Sequence, residues 1–141
     1  MATLKEAIYS LLSADAQLTG SSNLGHSSLL GQSTTSPYGV YWRHPPEGLD
    51  PDTSVLTYFI SVITRAGDEE ARDIFVNLTA WGNNFEAILE RVYDLIHKAS
   101  LTTTDYKTLT VRWYSAGPES YDEFRRIGFH SHRYRVRAWK V

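Results

Sequence analysis

The chain has 141 residues, enough for one domain but too few for two complete hydrophobic cores. Its net charge of −2 gives no overall attraction to nucleic acid or anionic lipid, and the absence of cysteine excludes disulfides and thiolate chemistry. No stretch resembles a signal peptide or approaches the ~20 apolar residues of a membrane span. We therefore predict one domain, residues 1–141, in a soluble intracellular protein without a membrane partner.

Two segments have the apolar periodicity of helices. In TLKEAIYSLLSAD, Thr3 followed by Glu6 fits an N-terminal capping box, and one stripe carries Leu4, Ile8, Leu11 and Leu12. Between the helices, residues 19–36 are about two-thirds Gly, Ser and Thr, which predicts a long flexible loop. The second helix, NFEAILERVYDLIHKAS, follows Asn83 and Asn84, either of which can cap it.

β-Branched residues and period-two alternation predict five strands. They are YGVYWR, Ser54–Arg65, DIFVNLTAWG, TLTVRWYSA from Thr108, and FHSHRYRVRAW from Phe129 to Trp139. The stretch GPESYDEFRR is predicted as a loop or one helical turn. The order α-β-β-β-α-β-β predicts an α+β domain whose mostly antiparallel sheet of about five strands carries both helices on one face.

His130 and His132 are the strongest candidates for metal ligands. On a strand, residues two apart project from the same face, so the two imidazoles can approach one ion. A catalytic zinc site needs a third protein ligand, and the sequence offers only Asp122, Glu123 and the distant His26 and His44. No helical ligand motif, nucleophile elbow or phosphate-binding loop is present. We predict no catalytic residue, no metal and no cofactor.

Arg133, Arg135 and Arg137 alternate along the last predicted strand, so all three project from one face. Arg112 projects from the preceding predicted strand in the same way, on the face opposite Val111 and Trp113. If the two strands pair, four guanidinium groups share one face, and like charges directly opposite each other repel. Arg112, Arg133, Arg135 and Arg137 are therefore the candidate functional residues.

Three explanations of this cluster are open from the residues alone. Carboxylates of the same chain, such as Asp73, can neutralise it. An acidic surface on a neighbouring subunit or partner can meet the guanidinium groups. Nucleic-acid phosphates can bind there, with aromatic side chains available to stack on bases, namely Trp113, Tyr114, Tyr134 and Trp139.

Four stretches together carry a resemblance to a known family. They are the helix ending in LLSADAQL, the strand after SPYGVYW, the central DIFVNLTAWGNNFEAILERVYDLIHKASL, and the closing GPESYDEFRRIGFHSHRYRVRAWKV. Through them the chain resembles the bacteriophage tail terminator, or tail completion, proteins of long-tailed phages. The likeness covers residues 4–140 in element order and hydrophobic character. The loop at 19–36 departs from the compact members of that family.

The resemblance implies a virion protein, assembled in the bacterial host cytoplasm, that forms a homo-oligomeric ring, a hexamer in this family. Such a ring caps the tail tube, terminates tail polymerisation and provides the surface that docks to the head–tail connector protein. DNA passes through the lumen without specific binding. We expect the four arginines to line either the subunit interface or the ring lumen, and the interface is favoured because a lumen through which DNA slides should avoid tight phosphate binding. We expect residues 19–36 and 44–53 to contact the tube protein or the connector.

Other hypotheses accompany this one. A head-completion or stopper protein, or another minor tail or neck protein, has a similar size and also assembles into rings. More distant classes are a metal-dependent enzyme using His130 and His132, and a nucleic-acid-binding module whose DNA binding weakens steeply with salt.

Overall fold

The computed structural model describes residues 3–15, 40–45, 54–64, 70–82, 85–101, 103–108, 110–123 and 127–140. They form helices α1, Leu4–Ser13, and α2, Phe85–Ile96. The strands are β1, Val40–Trp42; β2, Val55–Thr64; β3, Ala71–Trp81; β4, Tyr106–Thr108; β5, Arg112–Ala116; β6, Ser120–Asp122; and β7, Ile127–Lys140. In this part of the chain no helix is long and apolar enough to cross a membrane. Residues 19–36, and all but the first two of 44–53, lie outside it.

All seven strands belong to one sheet, organised around β7. Strands β1, β2, β3 and β7 are neighbours in that order. β3 pairs with one edge of β7 from Ala71 to Trp81, and the opposite edge of β7 is paired in turn by β6, β5 and β4. Only the pairing of β1 with β2 is parallel. The predicted α+β class and mostly antiparallel sheet are confirmed.

Two predicted elements differ in detail. The strand expected from Thr108 is divided, because the backbone of Val111 bonds the chain leaving α2: Lys98 N–H donates to Val111 O at 2.7 Å, and Val111 N–H to Ala99 O at 2.9 Å. The stretch predicted as a loop or helical turn contains β6, which pairs with the start of β7. Three residues are too few to show alternation in sequence.

Both helices cover the same face of the sheet, as predicted. Their buried side chains are those of Leu4, Ile8, Leu12, Ile88, Leu89, Val92 and Ile96. They form one core with the inward side chains of the two central strands, Ile74, Val76, Leu78, Ala80, Tyr134, Val136 and Ala138. We call this the helix face and the opposite side the outer face.

The start of α1 is held by two side chains. The Thr3 hydroxyl accepts a hydrogen bond from Glu6 N–H at 3.3 Å, as the predicted capping box requires. Leu4 N–H donates to Asp105 Oδ1 at 3.1 Å, which ties α1 to the segment before β4. These hydrogen bonds hold the start of α1 in place, in addition to the packing of its apolar side chains on the sheet.

Candidate functional site

The arginine row lies on the outer face of β7. Tyr134 and Val136 are fully buried on the helix face, whereas Arg133 and Arg137 are exposed and Arg135 is half-buried. The alternation predicted from the sequence is therefore confirmed. β7 is held by β3 on one edge and by shorter strands on the other, so it presents the guanidinium groups from an ordered backbone.

Arg112 joins the row through the pairing of β5 with β7. Its register partner is Arg135, so the two arginines are directly opposite on neighbouring strands. A bulge after Trp113 shifts the register, and the Tyr114 ring contacts Phe75 with ring centroids 5.3 Å apart. The Arg135 guanidinium carbon lies 5.3 Å from the centre of the Tyr114 ring. The structure therefore brings all four predicted residues together. We call them the arginine cluster.

Little within the described chain neutralises the arginine cluster. Arg137 Nε lies 4.0 Å from Asp73 Oδ1, a long ion pair between exposed groups that contributes little stability. Arg133 Nε donates to Asn77 Oδ1 at 2.9 Å, a neutral partner. Among the described residues, Arg112, Arg133 and Arg135 form no ion pair. Within the described part of the chain, neutralisation thus applies to Arg137 alone.

The rest of the outer face consists of polar and aromatic side chains that contact one another. Thr79 and Ser131 hydroxyls are 2.8 Å apart, and Trp81 Nε1–H donates to Thr57 Oγ1 at 3.0 Å. The rings of Trp81 and Phe129 pack with centroids 4.6 Å apart. These contacts order the surface from which the arginines project, which lowers the entropy lost when a partner binds.

Only some of the aromatics proposed for stacking are available on this face. Tyr114 lies on it, and Trp139 alternates onto it and is 37% exposed. Tyr134 is fully buried on the helix face, and Trp113, its register partner, lies on that face too. The proposed role of Tyr134 and Trp113 in stacking beside the arginines is therefore wrong, because strand alternation directs them away.

His130 and His132 lie together on the helix face, with ring centroids 5.1 Å apart. His130 Nε2 donates to Gly117 O at 2.6 Å, whereas His132 Nδ1 is buried and has no hydrogen-bond partner among the described residues. Within the described ranges no group of three or more His, Asp or Glu is arranged to hold a metal. His44, Asp122 and Glu123 therefore do not complete a site with this pair, and His26 lies outside the described residues.

Burial lowers the pKa of His132 below its ordinary 6.5, and the neighbouring His130 lowers it further. The unfolded chain then binds a proton at His132 more readily than the folded chain does. The free energy of unfolding therefore decreases as the pH falls below 6.5. It stops decreasing once the pH is below the pKa of His132 in the folded chain. We expect His132→Gln to flatten the decline in melting temperature between about pH 7 and pH 5. His44→Gln, at an exposed position, is the control, and parallel curves for all three proteins would contradict the assignment.

The Tyr134 hydroxyl is buried without a hydrogen-bond partner among the described residues, and burial raises its pKa. An unsatisfied buried hydroxyl costs about 1–3 kcal/mol. We expect Tyr134→Phe to leave stability unchanged or raise it by about 1 kcal/mol, whereas Tyr134→Ala should lower it by about 3–5 kcal/mol through cavity formation. Urea unfolding of the two variants measures both, and a marked loss in the Phe variant would reveal a partner for the hydroxyl.

A second feature, missed in the sequence, is a cleft of about 750 Å³ between α2 and the start of β7. The histidine pair lines one side, and the exposed carboxylates in its wall are Glu86, Glu90, Asp94 and Glu119. Three of them are spaced four residues apart on α2, a spacing that places them in one row on a helix. This four-residue spacing is the sequence signal from which an acidic row on α2 could have been predicted. We call these four residues and their surroundings the acidic cleft.

Comparison with known proteins gives similarity at the level of fold. No protein-family model matches the sequence, and no curated protein does. A chain of a solved structure described as "Virion of native gene transfer agent (GTA) particle" is similar, with a TM-score of 0.68 and 17% sequence identity. The match covers 97% of this chain and 95% of that chain. The two chains therefore share one fold along nearly their whole lengths.

Proposed function

We propose that this chain is a structural protein of a phage-type virion that forms a homohexameric ring on the end of the tail tube. The ring ends tube polymerisation and presents the surface to which the head connector docks. The observation that carries the proposal is the end-to-end structural match with a chain from a gene transfer agent virion. Among the roles open to a virion protein, the sequence resemblance to tail terminators supports one at the end of the tail.

The arginine cluster supports assembly into a ring. Arg112 and Arg135 are register partners with no ion pair in the described part of the chain, an arrangement that destabilises an isolated subunit. An acidic surface on a neighbouring subunit would remove that repulsion and use the planar geometry of the guanidinium groups. A DNA-lined lumen fits less well, because DNA must slide through it and four clustered arginines would bind phosphates.

The decisive experiment adds the purified protein to its cognate tail tube protein during polymerisation. Electron microscopy should show shorter tubes, each with a ring on one end. The variant Arg133→Glu/Arg135→Glu should leave tube lengths and ends as they are without the protein. Lys5→Glu, at an exposed position on α1, is the control and should cap normally.

Other outcomes identify the other roles. Unchanged tubes together with rings bound to the head connector would assign a head-completion or stopper protein. Strong, salt-sensitive DNA binding by the isolated protein would indicate a nucleic-acid-binding module. Stoichiometric zinc or iron in the purified protein would favour a metal-dependent enzyme built on His130 and His132.

A further inference from the structure

We propose that the arginine cluster of one subunit docks into the acidic cleft of the next copy of this chain, so that the ring closes head to tail. This inference rests on the proposed function for the ring, and it adds which two surfaces form each contact. The occupant of each surface is a second copy of the same protein.

The first argument is position. The arginine cluster lies on the outer face of the sheet, whereas His130 and His132, which line the cleft, alternate onto the helix face. The two surfaces of one subunit therefore point to opposite sides of the same sheet and cannot contact each other. Complementary surfaces on opposite sides of a molecule produce head-to-tail contacts, which close into rings when the rotation between subunits permits.

The second argument is charge. None of the four cleft carboxylates, Glu86, Glu90, Asp94 and Glu119, accepts a hydrogen bond or forms an ion pair among the described residues. Among the described residues of the cleft wall the one arginine is Arg91, whose NH2 nitrogen lies 2.7 Å from Asp15 Oδ1 and which also interacts electrostatically with Asp94. In the described part of the chain, Glu86, Glu90 and Glu119 therefore present negative charge that is not matched within the subunit, and the outer face presents positive charge that is not matched.

The third argument is spacing. Glu86, Glu90 and Asp94 recur every fourth residue on α2, a step of about 6 Å along the helix axis. Arg133, Arg135 and Arg137 recur every second residue on β7, a step of about 6.6 Å along the strand. The two rows therefore match to about 1 Å along their axes over three positions, while the acidic row turns by about 40° around α2 at each step, a sideways shift that the long arginine side chains must span.

Aromatic residues suit the same contact. Tyr93 lines the cleft and is 40% exposed, and one face of its ring stacks on His97 with centroids 4.6 Å apart. Trp113, 41% exposed, lies beside the cleft and contacts His132 in its wall. Arginine stacks favourably on such rings, and Tyr, Trp and Arg dominate the binding energy of protein interfaces. The cleft therefore offers the guanidinium groups carboxylates together with the open face of Tyr93.

The test mixes two charge-reversed proteins. Arg133→Glu/Arg135→Glu reverses two of the four charges of the arginine cluster and cancels its net positive charge, and Glu86→Arg/Glu90→Arg likewise cancels the net negative charge of the four cleft carboxylates. Each variant alone should associate at least ~100-fold more weakly than wild type by sedimentation velocity. An equimolar mixture should recover wild-type association, because alternating subunits restore every contact in an even-numbered ring. A mixture that stays monomeric, or an α2 variant that associates normally, would overturn the inference.

A second measurement does not depend on charge changes. The chain has no cysteine, so Ala87→Cys beside the acidic row and Ser115→Cys beside the arginines give single, specific thiols. On oxidation, the mixed disulfide between these two variants should exceed either homodimer and the background from Ser10→Cys on α1. Predominant Ser115→Cys homodimers would instead indicate a symmetric contact and reject the head-to-tail arrangement.

The outcomes separate this inference from the proposed function. Capped tubes without recovery in the mixture would leave the tail-end role standing and reject this pair of surfaces. Recovery in the mixture without any effect on tubes would support the contact and reject the tail-end role.

Discussion

Replacing Arg135 by Glu should make the isolated subunit more stable and, at the same time, prevent it from associating. Arg135 faces Arg112 across the β5–β7 pairing, so the wild-type protein has two like charges directly opposite. A glutamate at position 135 removes this repulsion and adds an attraction, each worth about 0.2–1 kcal/mol, against about 0.5–1 kcal/mol for the lost contact of the guanidinium with the Tyr114 ring. The same change places a carboxylate where we propose that the neighbour's carboxylates bind, which should weaken association by about 30-fold or more.

Urea unfolding under conditions where the protein is monomeric measures the first effect, and sedimentation velocity measures the second. Lys5→Glu changes the net charge equally at an exposed site on α1 and should leave association unchanged, and it should lower stability by about 0.5–1 kcal/mol, because Lys5 Nζ lies 4.1 Å from the centre of the Trp42 ring. Arg135→Gln should lie between wild type and the Glu variant in both measurements. If stability and association fall together, or association is unaffected, the cluster has a structural rather than a binding role.

Replacing Leu78 by Ala should lower the free energy of unfolding by about 2–5 kcal/mol. Leu78 lies in the middle of β3, is 0% exposed, and belongs to the core shared by both helices and the central strands. A loss of this size is a large part of the total stability of a typical domain, about 5–15 kcal/mol. Equilibrium denaturation in urea provides the measurement.

Val62→Ala is the matched control for this substitution. Val62 pairs with Ile74 and therefore lies on the same face of the sheet, but it is 44% exposed near the end of β2. Its truncation should cost less than about 0.5 kcal/mol. If Leu78→Ala and Val62→Ala lowered the free energy of unfolding equally, the helices would bury the centre of the sheet no more than its edge.

The fold and the arginine row could be predicted because both follow from local periodicity. Alternation alone places Ile74, Val76 and Leu78 together on one face of their strand, and Arg133 and Arg135 together on one face of theirs. The order of helices and strands then determined the α+β class. These features depend only on neighbouring residues, so a single sequence contains them.

The remaining features depend on which segments meet in space. The sequence does not show that Arg112 is the register partner of Arg135, nor that a bulge after Trp113 directs Tyr114 towards Phe75. The division between β4 and β5 arises from hydrogen bonds that Val111 makes to the end of α2, far away in sequence. The acidic cleft escaped notice because carboxylates on an exposed helix surface usually only face solvent, and the histidines opposite come from another strand.

The organisation of the sheet around β7 has a consequence for synthesis in the cell. β7 comes after every strand that it pairs with, and its register partners in β3 lie between 48 residues (Trp81 and Phe129) and 68 residues (Ala71 and Trp139) earlier in the chain. While residues 127–140 are still being translated, the edge of β3 that later pairs with β7 has no partner. The segments of β4, β5 and β6 also have no strand to pair with. Folding of the sheet must therefore wait until β7 has left the ribosome, and a chain truncated before β7 offers an open sheet edge that favours aggregation and proteolysis. Only copies that contain β7 would then be available to assemble.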